Sequence, residues 1–156
     1  MKIFIIQANF YQDISQLLLE GAEDAITKAK ITNNCNIDFE VITVAGALEI
    51  PASIAMIANS IAKNYSNNLK AITNIGFVAL GCVIRGETSH YDIVCNESAR
   101  GLNDLAVNNL LPIANGIITV ENKQQALARA SKNQKNKGGF AVDACIKMIN
   151  LKNLYH

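Results

Sequence analysis

Two rhythms of apolar and polar residues trade places along the chain. Lys2 to Ala8 (KIFIIQA) is an apolar run of strand length. Beyond it Ile14, Leu17, Leu18, Ala22, Ala25, Ile26 and Ala29 recur at helical spacing, and Asp13 and Gln16 stand at the separation of a capping box. Ile37 to Val44 (IDFEVITV) is β-branched and half alternating, which predicts a second strand. Pro51 suits the first turn of a helix that carries Ile54, Ile57, Ala58 and Ile61 on one face. A third strand lies within Ala71 to Ile84, and Asp92 to Leu110 reads as a third helix. After Pro112 a fourth strand is expected over Ala114 to Val120. Asn122 and Gln125 have cap spacing for a helix through Ala130, Ser131 to Gly139 is a polar loop, and Phe140 to Leu151 is a last helix. No repeat or linker interrupts the series, so residues 1–156 are expected to form one domain.

Four strand-to-helix alternations imply a mainly parallel sheet with helices on both faces. Parallel strands covered on both sides also explain why the apolar runs are so uniform. In such sheets ligands sit beyond the carboxyl ends of the strands. Four segments therefore share the functional edge: Ala8 to Tyr11, Ala45 to Glu49, Arg85 to His90, and the residues after Val120.

Composition adds a second expectation. Half of the 156 residues are hydrophobic and only 17% are charged. A small chain of that kind exposes apolar patches unless copies of itself cover them, which points to a homo-oligomer. A net charge of +1 argues against a nucleic-acid footprint, and no lysine-rich run suggests a membrane surface. The N-terminal apolar run is too short for a signal h-region or a spanning helix, so a cytoplasmic protein is expected. Cys35, Cys82, Cys95 and Cys145 form no CxxC pair and have no metal-like spacing. No metal site is expected from them.

The stretch Arg85-Gly86-Glu87-Thr88-Ser89-His90 offers backbone N–H groups around Gly86, a hydroxyl and an imidazole. Amides at a strand-to-helix turn form an anion-binding concavity. Turn chemistry alone, with a glycine at positive φ and a threonine cap, accounts for the same residues equally well. An imidazole exchanges protons near neutral pH, and a strand-end position makes His90 the candidate acid–base group. Glu49 could read hydroxyl or ring N–H groups of a ligand, or simply complement a helix N-terminus. Phe10 could stack on a planar ring or pack over the end of its strand. Arg129 could reach a phosphate, although helix arginines are more often solvated.

Together, the blocks GALEIP, GCVIRGETSHYDIVCNESARGL, PIANGIITVENKQQALARA and NKG resemble, in order and spacing, the lumazine synthase family. The resemblance implies a flavodoxin-like three-layer α/β/α sandwich around a four-stranded parallel sheet. It implies condensation of 5-amino-6-(D-ribitylamino)uracil with 3,4-dihydroxy-2-butanone 4-phosphate, releasing phosphate and water without metal or redox cofactor. It also implies pentamers with sites between neighbouring subunits, some members assembling twelve pentamers into a shell.

Carried onto this sequence, the resemblance has Phe10 stack on the pyrimidine while Ala47, Leu48 and Glu49 line the ring and ribityl pocket. Cys82, Val83 and Ile84 flank the pyrimidine, Glu87 and Thr88 hold the butanone phosphate through their amides, and His90 transfers protons. Asn115, Arg129 and Lys137 would come from the adjacent subunit, Arg129 pairing with the phosphate. Whether Arg85 touches ligand or braces the turn stays open. The sequence departs from the family pattern at Leu48 and Asn115, where aromatics are common, at Phe140, where an acidic residue is common, and at Asn9-Phe10-Tyr11. The loop before NKG lacks the glycine pattern of shell formers, which favours an isolated pentamer. A binding module that kept the pocket without turnover, or a chiefly structural shell protein, are the competing functions.

Overall fold

The computed structural model describes residues 1–33 and 36–155, so Cys35 and His156 lie outside the described residues. The chain runs β1 (Lys2–Ala8), α1 (Gln12–Asn33), β2 (Asp38–Val44), α2 (Glu49–Ala62), β3 (Ile75–Ile84), α3 (His90–Asn109), β4 (Ile113–Val120), α4 (Lys123–Ala130) and α5 (Lys137–Tyr155). All strand pairs are parallel, in the order β2-β1-β3-β4. That is the α/β/α sandwich expected of the sequence.

Side chains on a strand point alternately to its two faces. In β1, Ile3 and Ile5 enter one core with Leu18 and Ala22 of α1, Ala126 of α4, and Val142 and Cys145 of α5. Phe4, Ile6 and Ala8 enter the other, with Ile50, Ile54 and Ala58 of α2 and Leu102 of α3. Each fully buried Ile, Leu or Phe contributes about 1.5–3 kcal/mol of transfer free energy. The two faces of β1 and β3 thus hold the three layers together.

The strand order places the topological switch between β1 and β3, because β1 connects outward to β2 and the chain then crosses to the far side. Ligands in open parallel sheets bind at that crevice. Two buried polar residues brace the end of β1 beside it. Gln7 donates to the Ser15 carbonyl at 2.9 Å, and the Ser15 hydroxyl donates to the Ala8 carbonyl, so the end of β1 is tied to the start of α1.

Several boundaries differ from the sequence reading, each for a local reason. α1 begins at Gln12, which puts Asp13 inside the first turn instead of at the cap. Its carboxylate pairs with Lys123 at 2.6 Å, and that hydrogen bond holds its pKa below the usual carboxylate range. β3, by contrast, falls within the expected stretch Ala71 to Ile84, starting at Ile75 after two short 3-10 turns. α3 begins at His90, two residues before the expected start. α5 begins at Lys137, three residues early, because Asn136 adopts φ 40° and its side-chain oxygen accepts from the Gly139 amide at 3.1 Å. The expected Asn122 cap is present: its side chain accepts from the Gln125 amide at 2.9 Å.

Candidate active site

A concavity of about 410 Å³ opens over the carboxyl ends of β1, β2 and β3. Its lining draws on three of the four segments expected at this edge: Phe10 and Tyr11, Ala45 to Glu49, and Cys82 onward to His90. The volume lies within the usual range of small-molecule pockets.

Phe10 is 72% exposed and meets Tyr11 edge-on, ring centroids 5.0 Å apart. It is not packed over its strand, so a broad aromatic face is left for another planar group. Ala47 is buried, Leu48 is exposed as the cap residue of α2, and Glu49 is that helix's first residue. Its carboxylate sits at the positive end of the helix dipole and lines the concavity, so the two readings are compatible.

Cys82 and Val83 form the buried wall, with half-buried Ile84 beyond them. Burial, with a smaller contribution from Asp13, pushes the Cys82 thiol up to about 12. It is a neutral, inert surface at physiological pH.

The Arg85–His90 turn is exposed throughout. The positive-φ half of the turn-chemistry explanation does not hold for Gly86. No glycine among the described residues has positive φ, and a Cβ built on Gly86 would meet nothing within 4 Å. Thr88 accepts weakly from the His90 amide at 3.4 Å, and Ser89, the cap residue of α3, makes no side-chain cap bond. Among the described residues the backbone N–H groups of Gly86 to Ser89 meet no acceptor. Open amides before a 20-residue helix are a ready anion site.

His90 is exposed, and it lines the concavity together with Gly86 and Thr88. Glu87 belongs to the same turn but does not line the concavity. Sequence reasoning missed Tyr91 and Val94, which also line it. Val94, four positions after His90, shares its helix face and was within reach of the sequence once α3 is started at His90; Tyr91, the next residue, gave no such signal.

Asn115, Arg129 and Lys137 do not line this concavity. Asn115 lies on β4, a sheet edge, where its side-chain oxygen accepts from the Ile117 amide at 2.9 Å. Half-buried Arg129 donates to the Gln125 carbonyl at 3.2 Å, and the Lys137 ammonium sits 4.9 Å from the centre of the Phe140 ring.

Comparison with known proteins accords with this geometry. The family model described as 6,7-dimethyl-8-ribityllumazine synthase matches residues 1–153. A protein of that name from Agrobacterium fabrum (strain C58) is 53% identical over 150 residues, covering 96% of this chain and 93% of that one. A Zymomonas mobilis 6,7-dimethyl-8-ribityllumazine synthase is 49% identical over 151 residues, 97% of this chain and 96% of its own. The 6,7-dimethyl-8-ribityllumazine synthase 1 of Rhizobium meliloti is 49% identical over 152 residues, 97% of this chain and 92% of its own. With the expected four-stranded parallel sheet and a match over nearly its whole length, the chain belongs to the 6,7-dimethyl-8-ribityllumazine synthase family.

Proposed function

We propose that the concavity binds 5-amino-6-(D-ribitylamino)uracil and 3,4-dihydroxy-2-butanone 4-phosphate side by side, with His90 as the proton-transfer group. The chain's reaction is the family's condensation to 6,7-dimethyl-8-ribityllumazine in riboflavin biosynthesis. The observation that carries the site assignment is the convergence of an exposed aromatic, a carboxylate, open amides and an imidazole on one concavity at the topological switch.

In this reading Phe10 stacks on the pyrimidine, Glu49 and the backbone of Ala47 and Leu48 meet the ribityl chain, and Cys82, Val83 and Ile84 form the wall beside the ring. The amides of Glu87 and Thr88 hold the phosphate. The amine adds to the ketone, water leaves to give an imine, phosphate is eliminated, and the ribitylamino nitrogen closes the ring on the remaining carbonyl carbon with loss of a second water. Each step moves a proton or separates an anion, which is the work of one imidazole and an anion clamp. Orientation of the two substrates lowers the barrier further.

Asn115, Arg129 and Lys137 complete the site from a neighbouring subunit, Arg129 pairing with the phosphate. The assembly is a closed pentamer in the cytoplasm, built from one domain per chain. Exposed Met56 of α2 and Ile93 and Val107 of α3 supply apolar surface for such contacts. Among the described residues no helix is long and apolar enough to cross a membrane. Phosphate release from the two substrates, followed together with lumazine absorbance, tests the function. Ligand binding without release would instead mark a binding module, and sedimentation separates a pentamer from a shell.

Gly86 gives a separate check on the phosphate site. A methyl group at that position costs the fold almost nothing, since nothing lies near it. Gly86→Ala is therefore expected to leave the melting temperature unchanged and to raise KM for the butanone phosphate about tenfold or more, by holding the phosphate away from the amides. An unchanged KM would move the phosphate elsewhere.

A further inference from the structure

Arg85 stands where β3 ends, and its amide extends the ladder by one bond to the Val120 carbonyl at 2.9 Å. Its side chain then gathers three segments. Nε donates to Glu121 beyond β4 at 2.9 Å, while Nη1 and Nη2 donate to the two oxygens of Asp92 at 3.4 and 3.3 Å. The guanidinium carbon lies 4.0 Å from the centre of the Tyr91 ring.

Tyr91 and Asp92 are the two residues that follow His90. The guanidinium thus closes a loop whose interior is Gly86 to His90, and that interior has little else to hold it. Its residues are exposed, Gly86 packs against nothing, and the internal bond from the His90 amide to Thr88 is long. A planar fork that binds one carboxylate through two nitrogens and stacks on a ring fixes direction as well as distance. Lysine can supply the charge but neither the fork nor the stack. Exposed ion pairs add little to global stability, and these side chains are 40–56% exposed. The clasp is thus better suited to setting where α3 begins than to holding the fold together. Arg85 itself does not line the concavity.

We infer that Arg85 is a positioning residue: through Asp92, Tyr91 and Glu121 it sets the place of the His90 imidazole, and it does not touch substrate. The inference rests on the reading of His90 as the proton-transfer group. Displacing a reacting group by about 1 Å can cost on the order of a hundredfold in rate.

The test compares Arg85→Ala, Arg85→Lys, His90→Ala and the Arg85→Ala/His90→Ala double variant in steady-state kinetics with both substrates. Arg85→Ala is expected to lower kcat by about 10- to 100-fold, with KM for each substrate within about twofold and the melting temperature within about 2 °C. Arg85→Lys is expected to recover part of the loss. The double variant is expected to be no slower than His90→Ala, because residues acting through one group are not additive. If Arg85→Ala folds poorly, the kcat of Arg85→Lys decides in its place.

A rise in KM for the butanone phosphate with kcat kept would make Arg85 a ligand contact and overturn the inference. Wild-type kcat in the Arg85 variants beside a slow His90→Ala would overturn it while leaving His90 in place. A double variant slower by the product of the two losses would show that Arg85 acts independently of His90. Normal turnover in His90→Ala would overturn the reading of His90, and this inference with it.

Discussion

Truncation of His90 to alanine is expected to slow turnover by tens- to thousands-fold, the usual loss when a positioned acid–base group is removed. The site's geometry makes this a clean experiment. His90 is exposed and is the first residue of α3, and its amide bond to Thr88 does not depend on the side chain. Alanine is a good helix former at such a position, so the fold has no reason to change. Pyrimidine binding should stay near normal, because Phe10, Glu49 and the Cys82–Ile84 wall remain. Single-turnover release of phosphate, at saturating levels of both substrates, measures the chemical step without the binding terms. The residual rate reports what orientation and the anion clamp achieve alone. Unchanged turnover would remove His90 from the mechanism.

Gly138→Ala is expected to be the most damaging single change to stability. Gly138 is the second residue of α5, buried and packed against α1. A Cβ built there would overlap the carbonyl oxygen of Leu18 and press on the backbone nitrogen of Ala22 at 3.2 Å. A flexible side chain could step aside, but the backbone of a packed helix cannot. The two helices would have to separate, and both carry the buried residues of one core, including Leu18, Ala22, Val142 and Cys145. Overpacking commonly costs about 1–3 kcal/mol, and a backbone obstacle puts this case at or above the upper end. For a chain of this length that lowers the melting temperature by roughly 6–12 °C. Thermal unfolding followed by circular dichroism measures it directly. A melting temperature within a degree of the parent would show that the helices tolerate the wider spacing.

The fold was legible because its two central strands, β1 and β3, are buried on both faces, while the edge strands β2 and β4 are partly exposed. KIFIIQA and the run into Ile84 have no amphipathic ambiguity, and the helices between them carry clear apolar spacing. Boundaries were harder wherever a single side chain decides them. Asn136, at positive φ, starts α5 three residues early, inside a stretch rich in lysine and asparagine that reads as loop. Asp13 was taken for a cap because its partner, Lys123, is remote in sequence. At the site, the strand-end rule placed Phe10, Glu49 and His90 on one edge, and the structure gathers them there. It gave no means to see that Gly86 has open space above it, or that Arg85 faces two carboxylates and a ring. Those are three-dimensional facts with no periodic trace.

The thiol in the pocket wall has a chemical consequence for an enzyme whose substrate is a ketone. A thiolate is a strong nucleophile, and in the proposed site it would lie beside the pyrimidine ring whose amine has to reach the ketone first. With its thiol held near 12, Cys82 carries on the order of one thiolate in 10⁵ molecules at neutral pH. In the proposed site the amine of the pyrimidine would therefore have no thiolate as a rival on that wall. Burial of that wall thus keeps its sulfur protonated and out of competition with the amine, an outcome reached without removing the cysteine.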